Sequence, residues 1–205
     1  MICITGFEVF GGFTGNTSLS MVRSFQKQSP FLPEFSVETV LLPVEQKHCF
    51  EVLLPYLTAH SVSHIFLLGM AAQTKCLSVE KTALNWAHYT IPDNANHQPQ
   101  DQWIEKGAPL AYYSTFPVVR MVELCADSPI PVQLSLSAGS YVCNDLYYRT
   151  LHWVETNRYP AQTVFIHLPA LSDTDNSDEN HQNGFSFTAV YETLLKLMLI
   201  GIGQP

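Results

Sequence analysis

The run His64-Ile65-Phe66-Leu67-Leu68-Gly69 constrains the fold more than any other segment of this chain. A strand with one face in water alternates apolar and polar side chains, whereas a strand covered on both faces reads as one short apolar run. Further strands are read at residues 2–5, 37–42, 131–136 and 163–167. Longer helical patterns separate them. One starts from a cap at Asn16 or Thr17 and runs to about Gln28, where Pro30 stops it. Others span residues 45–59 (with Pro55 inside), 114–126 (with Pro117 in the first turn), 140–156 and 186–200. Residues 76–92 are irregular, with β alternation at Leu77, Val79 and Lys81. Strand followed by helix, repeated, gives βαβ units and a largely parallel sheet with helices on both faces, an α/β fold.

Residues 1–205 read as a single domain without internal repeats, and residues 172–184 as a polar, acidic surface loop. Hydrophobic residues make up 46% of the chain, enough for a full core. Lys+Arg 10 against Asp+Glu 18 leaves a net charge of −8, and no basic run interrupts it, which excludes an ordinary nucleic-acid binder. No apolar run approaches the ~20 residues of a membrane span, and the N-terminus lacks the basic n-region of a secretory signal. The five cysteines, Cys3, Cys49, Cys76, Cys125 and Cys143, are odd in number and form no C-x-x-C pair. Reduced thiols in a cytoplasmic protein are the expectation.

In α/β sheets, ligands sit beyond the carboxyl ends of the strands, which selects the residues to weigh. Cys143 follows the strand at 131–136. With Ser140 as N-cap it falls at the third helical position, where free N–H groups favour a thiolate, in the manner of a nucleophile elbow. The competing reading is a small buried hydrophobe. His167 closes the strand at 163–167 on the same rim, as a base for that thiol or as a satisfied rim histidine. Glu80 sits just past the third strand, again on the carboxyl side, and could orient an imidazole or simply face solvent. Other motifs fail. Gly6, Gly11 and Gly12 do not form a phosphate cradle, and Asp173 to Ser177 begins like a calcium loop but lacks its glycine and bidentate glutamate. His60 and His64 have zincin spacing, but Ser61 replaces the required Glu.

Several separate blocks then match one family in the right order. They are Thr5-Gly6-Phe7-Glu8-Val9-Phe10-Gly11-Gly12, Val79-Glu80-Lys81, Ala83-Leu84-Asn85, Ile91-Pro92-Asp93-Asn94, Pro109-Leu110-Ala111-Tyr112 and Thr115-Phe116-Pro117. Ser137-Ala138-Gly139-Ser140-Tyr141-Val142-Cys143-Asn144 and Phe165-Ile166-His167-Leu168-Pro169 complete the set. On these the chain resembles the pyroglutamyl peptidase I (pyrrolidone-carboxylate peptidase) family of cysteine peptidases. The resemblance implies a three-layer α/β/α open sandwich, phosphorylase/hydrolase-like, with a mostly parallel, mixed twisted sheet. It implies removal of an N-terminal pyroglutamyl residue from small peptides, with Cys143 as nucleophile, His167 as general base and Glu80 orienting the imidazole. Phe7 and Phe10 would pack on the pyrrolidone ring, or else plug the core under their loop. Asn16 and the backbone near Val142 would meet the lactam. Homo-oligomers, often tetramers, are usual in the family, and no cofactor or metal is implied. The chain departs from the common pattern at Val9, Phe13 and Thr17, and at Lys81 and Thr90, which stand where many bacterial members carry arginine. The rival readings are a catalytically weak pyroglutamyl-peptide-binding homologue and a nucleoside phosphorylase on the same architecture. The second needs an anion site, and no Arg/Lys-rich loop offers one.

Overall fold

The computed structural model describes residues 1–27, 35–172 and 184–203. The strands are β1 (Ile2–Phe7), β2 (Val37–Leu42), β3 (His64–Met70), β4 (Leu77–Glu80), β5 (Thr82–Leu84), β6 (Ala111–Tyr113), β7 (Val132–Ser135) and β8 (Gln162–Leu168). The helices are α1 (Thr17–Lys27), α2 (His48–Ala59), α3 (Val118–Glu123), α4 (Val142–Thr156) and α5 (Phe187–Gly201). One sheet runs in the order β2-β1-β3-β8-β4-β7, and β5 and β6 form a separate antiparallel pair. The first four strands are mutually parallel. β4 then turns antiparallel to β8, and β7 runs parallel to β4.

Successive strand residues point to opposite faces, and the core divides accordingly. Cys3, Ile65, Leu67 and Phe165 pack with Leu53 and Leu57 of α2 and Leu146, Tyr147 and Leu151 of α4. Ile2, Ile4, Phe66, Leu68, Val164 and Ile166 face the other way, onto Met21 of α1, Met121 of α3 and Leu194 and Leu197 of α5. That is the expected three-layer α/β/α sandwich. The central strands read as continuous apolar runs because both faces are covered.

The helix boundaries differ where polar side chains are engaged elsewhere. The helix expected over 114–126 is reduced to α3, because Ser114 and Thr115 hydrogen-bond to the Thr163 backbone instead. The one expected over 45–59 starts at His48, after Lys47 at φ 62. It continues through Pro55. Ser186 caps α5 as the pattern indicates, accepting the Ala189 N–H at 3.2 Å. The short β6 was not anticipated. The end of the first helix at Gln28 and Pro30, and the segment 173–183 with its calcium-like start, lie outside the described residues. Among the described residues, no helix is long and apolar enough to cross a membrane.

Candidate active site

Gly69 and His167 are partners in the β3–β8 register. By the strand alternation, both share the face of Leu67 and Phe165, which α4 covers. Phe7 at the end of β1 opens onto the same face. His167 Nδ1 and Glu80 Oε1 are 2.7 Å apart, with the Glu80 side chain almost fully buried. The sequence brought these two together on a mistaken geometry. Glu80 is not on the shared carboxyl rim: β4 runs against β8, and its Ser78 pairs with His167 while Glu80 pairs with Phe165. Glu80 therefore reaches the imidazole diagonally, from two positions lower on the neighbouring strand.

Cys143 also arrives by a different route. Ser140 is not the N-cap: its hydroxyl donates to the His88 carbonyl at 2.7 Å, and α4 begins at Val142 after Tyr141. Cys143 is thus the second helical residue, and residues 136–141 separate it from β7, so it does not stand on a tight strand-to-helix elbow. Packing of α4 over β3 and β8 delivers it instead. Its sulfur lies against Gly69, the register partner of His167, close enough to act on the imidazole. Burial disfavours the imidazolium, but the hydrogen bonds and charges of Cys143 and Glu80 outweigh it and raise His167 to about 10. Burial pushes the other core thiols up: Cys3 to about 12, and Cys49 and Cys125 in the same direction.

Three supports escaped the sequence reading. A Cβ on Gly69 would lie 3.0 Å from Cys143 Sγ and 2.8 Å from Phe165 Cζ, so only glycine lets the thiol lie this close to β3. Asn144, fully buried, accepts the Leu84 N–H at 2.8 Å and donates to the carbonyls of Leu84 and Trp86 at 2.9 and 3.0 Å. Tyr147, one turn past Cys143, donates to the Glu80 carbonyl at 3.2 Å. Together they tie the first turn of α4 to the segments bearing its partners. Buried polar side chains whose bonds are local but whose partners are remote leave no periodic signal.

Beside Cys143 lies a small cavity bordered by Phe7, Phe10, Val44, Met70 and Tyr141, with Asn16 and Val142 completing it. Its room is about 10 Å³, enough for one water-sized sphere, so a five-membered ring requires a lining side chain to move. Phe10, half-buried and packed against Phe13 and Tyr141, is on the loop best placed to give. Among the described residues, no charged side chain borders the cavity. Glu8, next to the aromatic pair in sequence, is exposed and not part of the lining. Asn16 is largely committed: its amide donates to the Glu8 carbonyl at 2.8 Å, and its oxygen accepts from the Ser18 N–H and hydroxyl. That leaves it one N–H for a ligand. Lys81 lies over the Tyr113 ring, and Thr90 is exposed. Among the described residues, no cluster of three or more His, Cys, Asp or Glu is disposed to hold a metal.

Comparison with known proteins agrees along the whole chain. The model of the family described as "Pyroglutamyl peptidase" matches residues 1–203. The pyrrolidone-carboxylate peptidase of Vibrio vulnificus is 33% identical over 198 residues, 97% of this chain and 91% of that one. That of Thermococcus litoralis is 36% identical over 172 residues, covering 84% and 77%. Among solved structures, pyroglutamyl peptidase I of Bacillus amyloliquefaciens superposes with a TM-score of 0.90 at 26% identity, covering 99% of this chain and 97% of its own. The Thermococcus litoralis pyrrolidone carboxyl peptidase gives 0.88 at 30% identity, covering 98% and 93%. These relatives are peptidases and lend the phosphorylase reading no support.

Proposed function

We propose, from the premise that this chain belongs to the pyroglutamyl peptidase family, that Cys143, His167 and Glu80 carry its chemistry and that Phe7, Phe10, Asn16 and Val142 receive the ring. The protein is a cysteine exopeptidase that removes an N-terminal pyroglutamyl residue from peptides. One observation carries the site assignment. The thiol of Cys143 borders, on one side, a cavity with no charged side chain among its described lining residues and lies beside the His167–Glu80 pair on the other. A flat, neutral lactam suits aromatic walls, and its N–H and C=O find Asn16 and backbone partners.

The steps follow from that arrangement. With His167 already holding the proton as imidazolium, the Cys143 thiolate attacks the carbonyl that follows pyroglutamate. No side chain caps α4, so its first N–H groups are free to receive the oxyanion. The imidazolium, held by Glu80, gives its proton to the leaving amine as the C–N bond breaks. Water, deprotonated by His167, then opens the thioester and releases pyroglutamate and the thiolate. The balance closes with thiolate, imidazolium and water.

The same reading takes residues 1–205 as one domain acting in the cytoplasm, supported by five cysteines of which none is bridged. It includes a homo-oligomer, a tetramer by resemblance, supported by Leu134 exposed on the outermost strand β7 and Leu136 exposed just past its end. The test of the site is release of a fluorophore from a pyroglutamyl amide by the wild type, Cys143→Ala and His167→Ala. Turnover by the wild type alone is expected. Undiminished turnover in Cys143→Ala overturns the assignment, and tight binding without turnover by the wild type supports the binding homologue.

A further inference from the structure

Beyond the ring pocket, the chain from Asn85 to Asp101 folds back on itself outside α4. Ala87 and Gln102 exchange backbone hydrogen bonds at 2.8 and 3.0 Å, forming an isolated antiparallel bridge. The pleat then sends the flanking residues Trp86, His88, Asp101 and Trp103 to one side, outward. Trp86 and His88 are stacked at 5.3 Å with planes 16° apart. Asp101 fixes both rings. Its carboxylate accepts the Trp86 indole N–H at 3.0 Å, and its own N–H donates to His88 Nδ1 at 3.3 Å. It does so from φ 49, a conformation that non-glycine residues adopt rarely and that clusters at functional places.

Trp86 and Trp103 wall a cavity of about 460 Å³ together with Leu84 and Leu110. Trp103 is 55% exposed and Leu110 71%, an apolar lining in water that exceeds scattered surface hydrophobes. Its polar groups are mostly spent. The Asn85 amide bonds Glu105 and Ala108 backbone groups, and one Asp101 oxygen holds Trp86. The backbone that carries the cavity is also tied to the start of α4, beside the reaction centre. The buried side chain of Asn144, directly after Cys143, bonds the Trp86 carbonyl, and Ser140 bonds His88. One peptide unit, one Asn side chain and one hydrogen bond separate Cys143 Cα from that carbonyl, roughly 10 Å in all, the reach of about three extended residues.

We infer that the Trp86–Trp103 cavity is a subsite for the leaving part of the peptide, taking an apolar or aromatic side chain at the second or third residue after pyroglutamate. The inference rests on Cys143 as the point of cleavage, and the assay separates the two. A set of pyroglutamyl peptides with Ala at every downstream position, and one Phe moved along it, is compared with pyroglutamyl-alanine, which is too short to reach the cavity. Phe at the second or third position is expected to raise kcat/KM about tenfold, mainly through KM, in line with the discrimination an apolar pocket gives one side chain. Trp103→Ala cancels the gain and Trp103→Phe keeps it, while pyroglutamyl-alanine is cleaved equally by all three proteins. Failure on pyroglutamyl-alanine speaks against the site assignment, not the subsite. The subsite is overturned if no position favours Phe, or if the preference survives both Trp86→Ala and Trp103→Ala. It is equally overturned if Trp103→Ala changes the sedimentation of the protein and leaves selectivity intact, since the surface is then a self-association face.

Discussion

Gly69→Ala tests whether the thiol is held where catalysis needs it. The added methyl would meet Phe165 Cζ at 2.8 Å, Phe165 Cε1 at 3.0 Å and Cys143 Sγ at 3.0 Å. Favourable carbon contacts lie near 3.5–4.0 Å, so about 0.5–1 Å must be found. Phe165 has little to give: it is fully buried between Tyr147 at 5.8 Å and the His167 ring at 4.7 Å. The sulfur therefore moves, and with it its placement beside His167. Overpacking of this kind costs about 1–3 kcal/mol of stability, and a displacement approaching 1 Å at a reacting atom costs on the order of 10²-fold in rate. Gly69 has no positive φ, so the backbone accepts alanine and the effect is steric. The assay is kcat/KM on a pyroglutamyl amide, with the iodoacetamide rate of Cys143 and the thermal midpoint measured alongside. Gly15→Ala, with nothing within 4 Å, is the control and is expected to behave as wild type. Unchanged turnover and unchanged alkylation in Gly69→Ala would refute the placement of the sulfur against β3.

Three further outcomes are expected. His167→Ala abolishes nearly all turnover, whereas Glu80→Gln, which still accepts the imidazole N–H but loses the charge, retains more activity in single-turnover measurements on folded protein. The imidazolium signal of His167 in nitrogen-edited NMR persists through neutral pH and titrates near about 10; it moves lower in Cys143→Ala and in Glu80→Gln, since each removes a group that raises it. The sign follows from linkage: the folded imidazole holds its proton more tightly than the unfolded one, so its contribution to stability is full below about 6.5 and is lost as pH rises toward about 10. Brief iodoacetamide treatment at neutral pH, followed by peptide mapping, modifies Cys143 ahead of Cys3, Cys49 and Cys125, which are buried with raised thiols, and ahead of Cys76, which has no imidazole partner among its described contacts.

The strands that place the site were legible because burial on both faces erases alternation, and β2 fell on the residues read from the pattern. Strand direction was not legible. Nothing local in Leu77-Ser78-Val79-Glu80 tells a parallel neighbour from an antiparallel one, and the reversal at β4 is what sends Glu80 to His167 diagonally. The cap of α4 was misplaced by one residue because Ser140 has the chemistry of a cap but spends its hydroxyl on His88, a partner 52 positions away in sequence. Cys143, His167 and Glu80 were nameable from position and resemblance. The contacts that hold them, through Gly69, Asn144 and Tyr147, depend on tertiary approach and left no trace in spacing.

The central claim is that an uncharged cavity beside Cys143 selects a neutral lactam. Its most direct measurement is kcat/KM for pyroglutamyl-, glutaminyl- and glutamyl-alanine under one set of conditions. The last two bring an ammonium group to a lining with no carboxylate among the described residues, and burying that charge unpaired costs several kcal/mol, about a thousandfold or more in rate. The account predicts cleavage of the pyroglutamyl dipeptide, with the other two slower by at least about that factor. Comparable values for all three would contradict it and leave a general aminopeptidase.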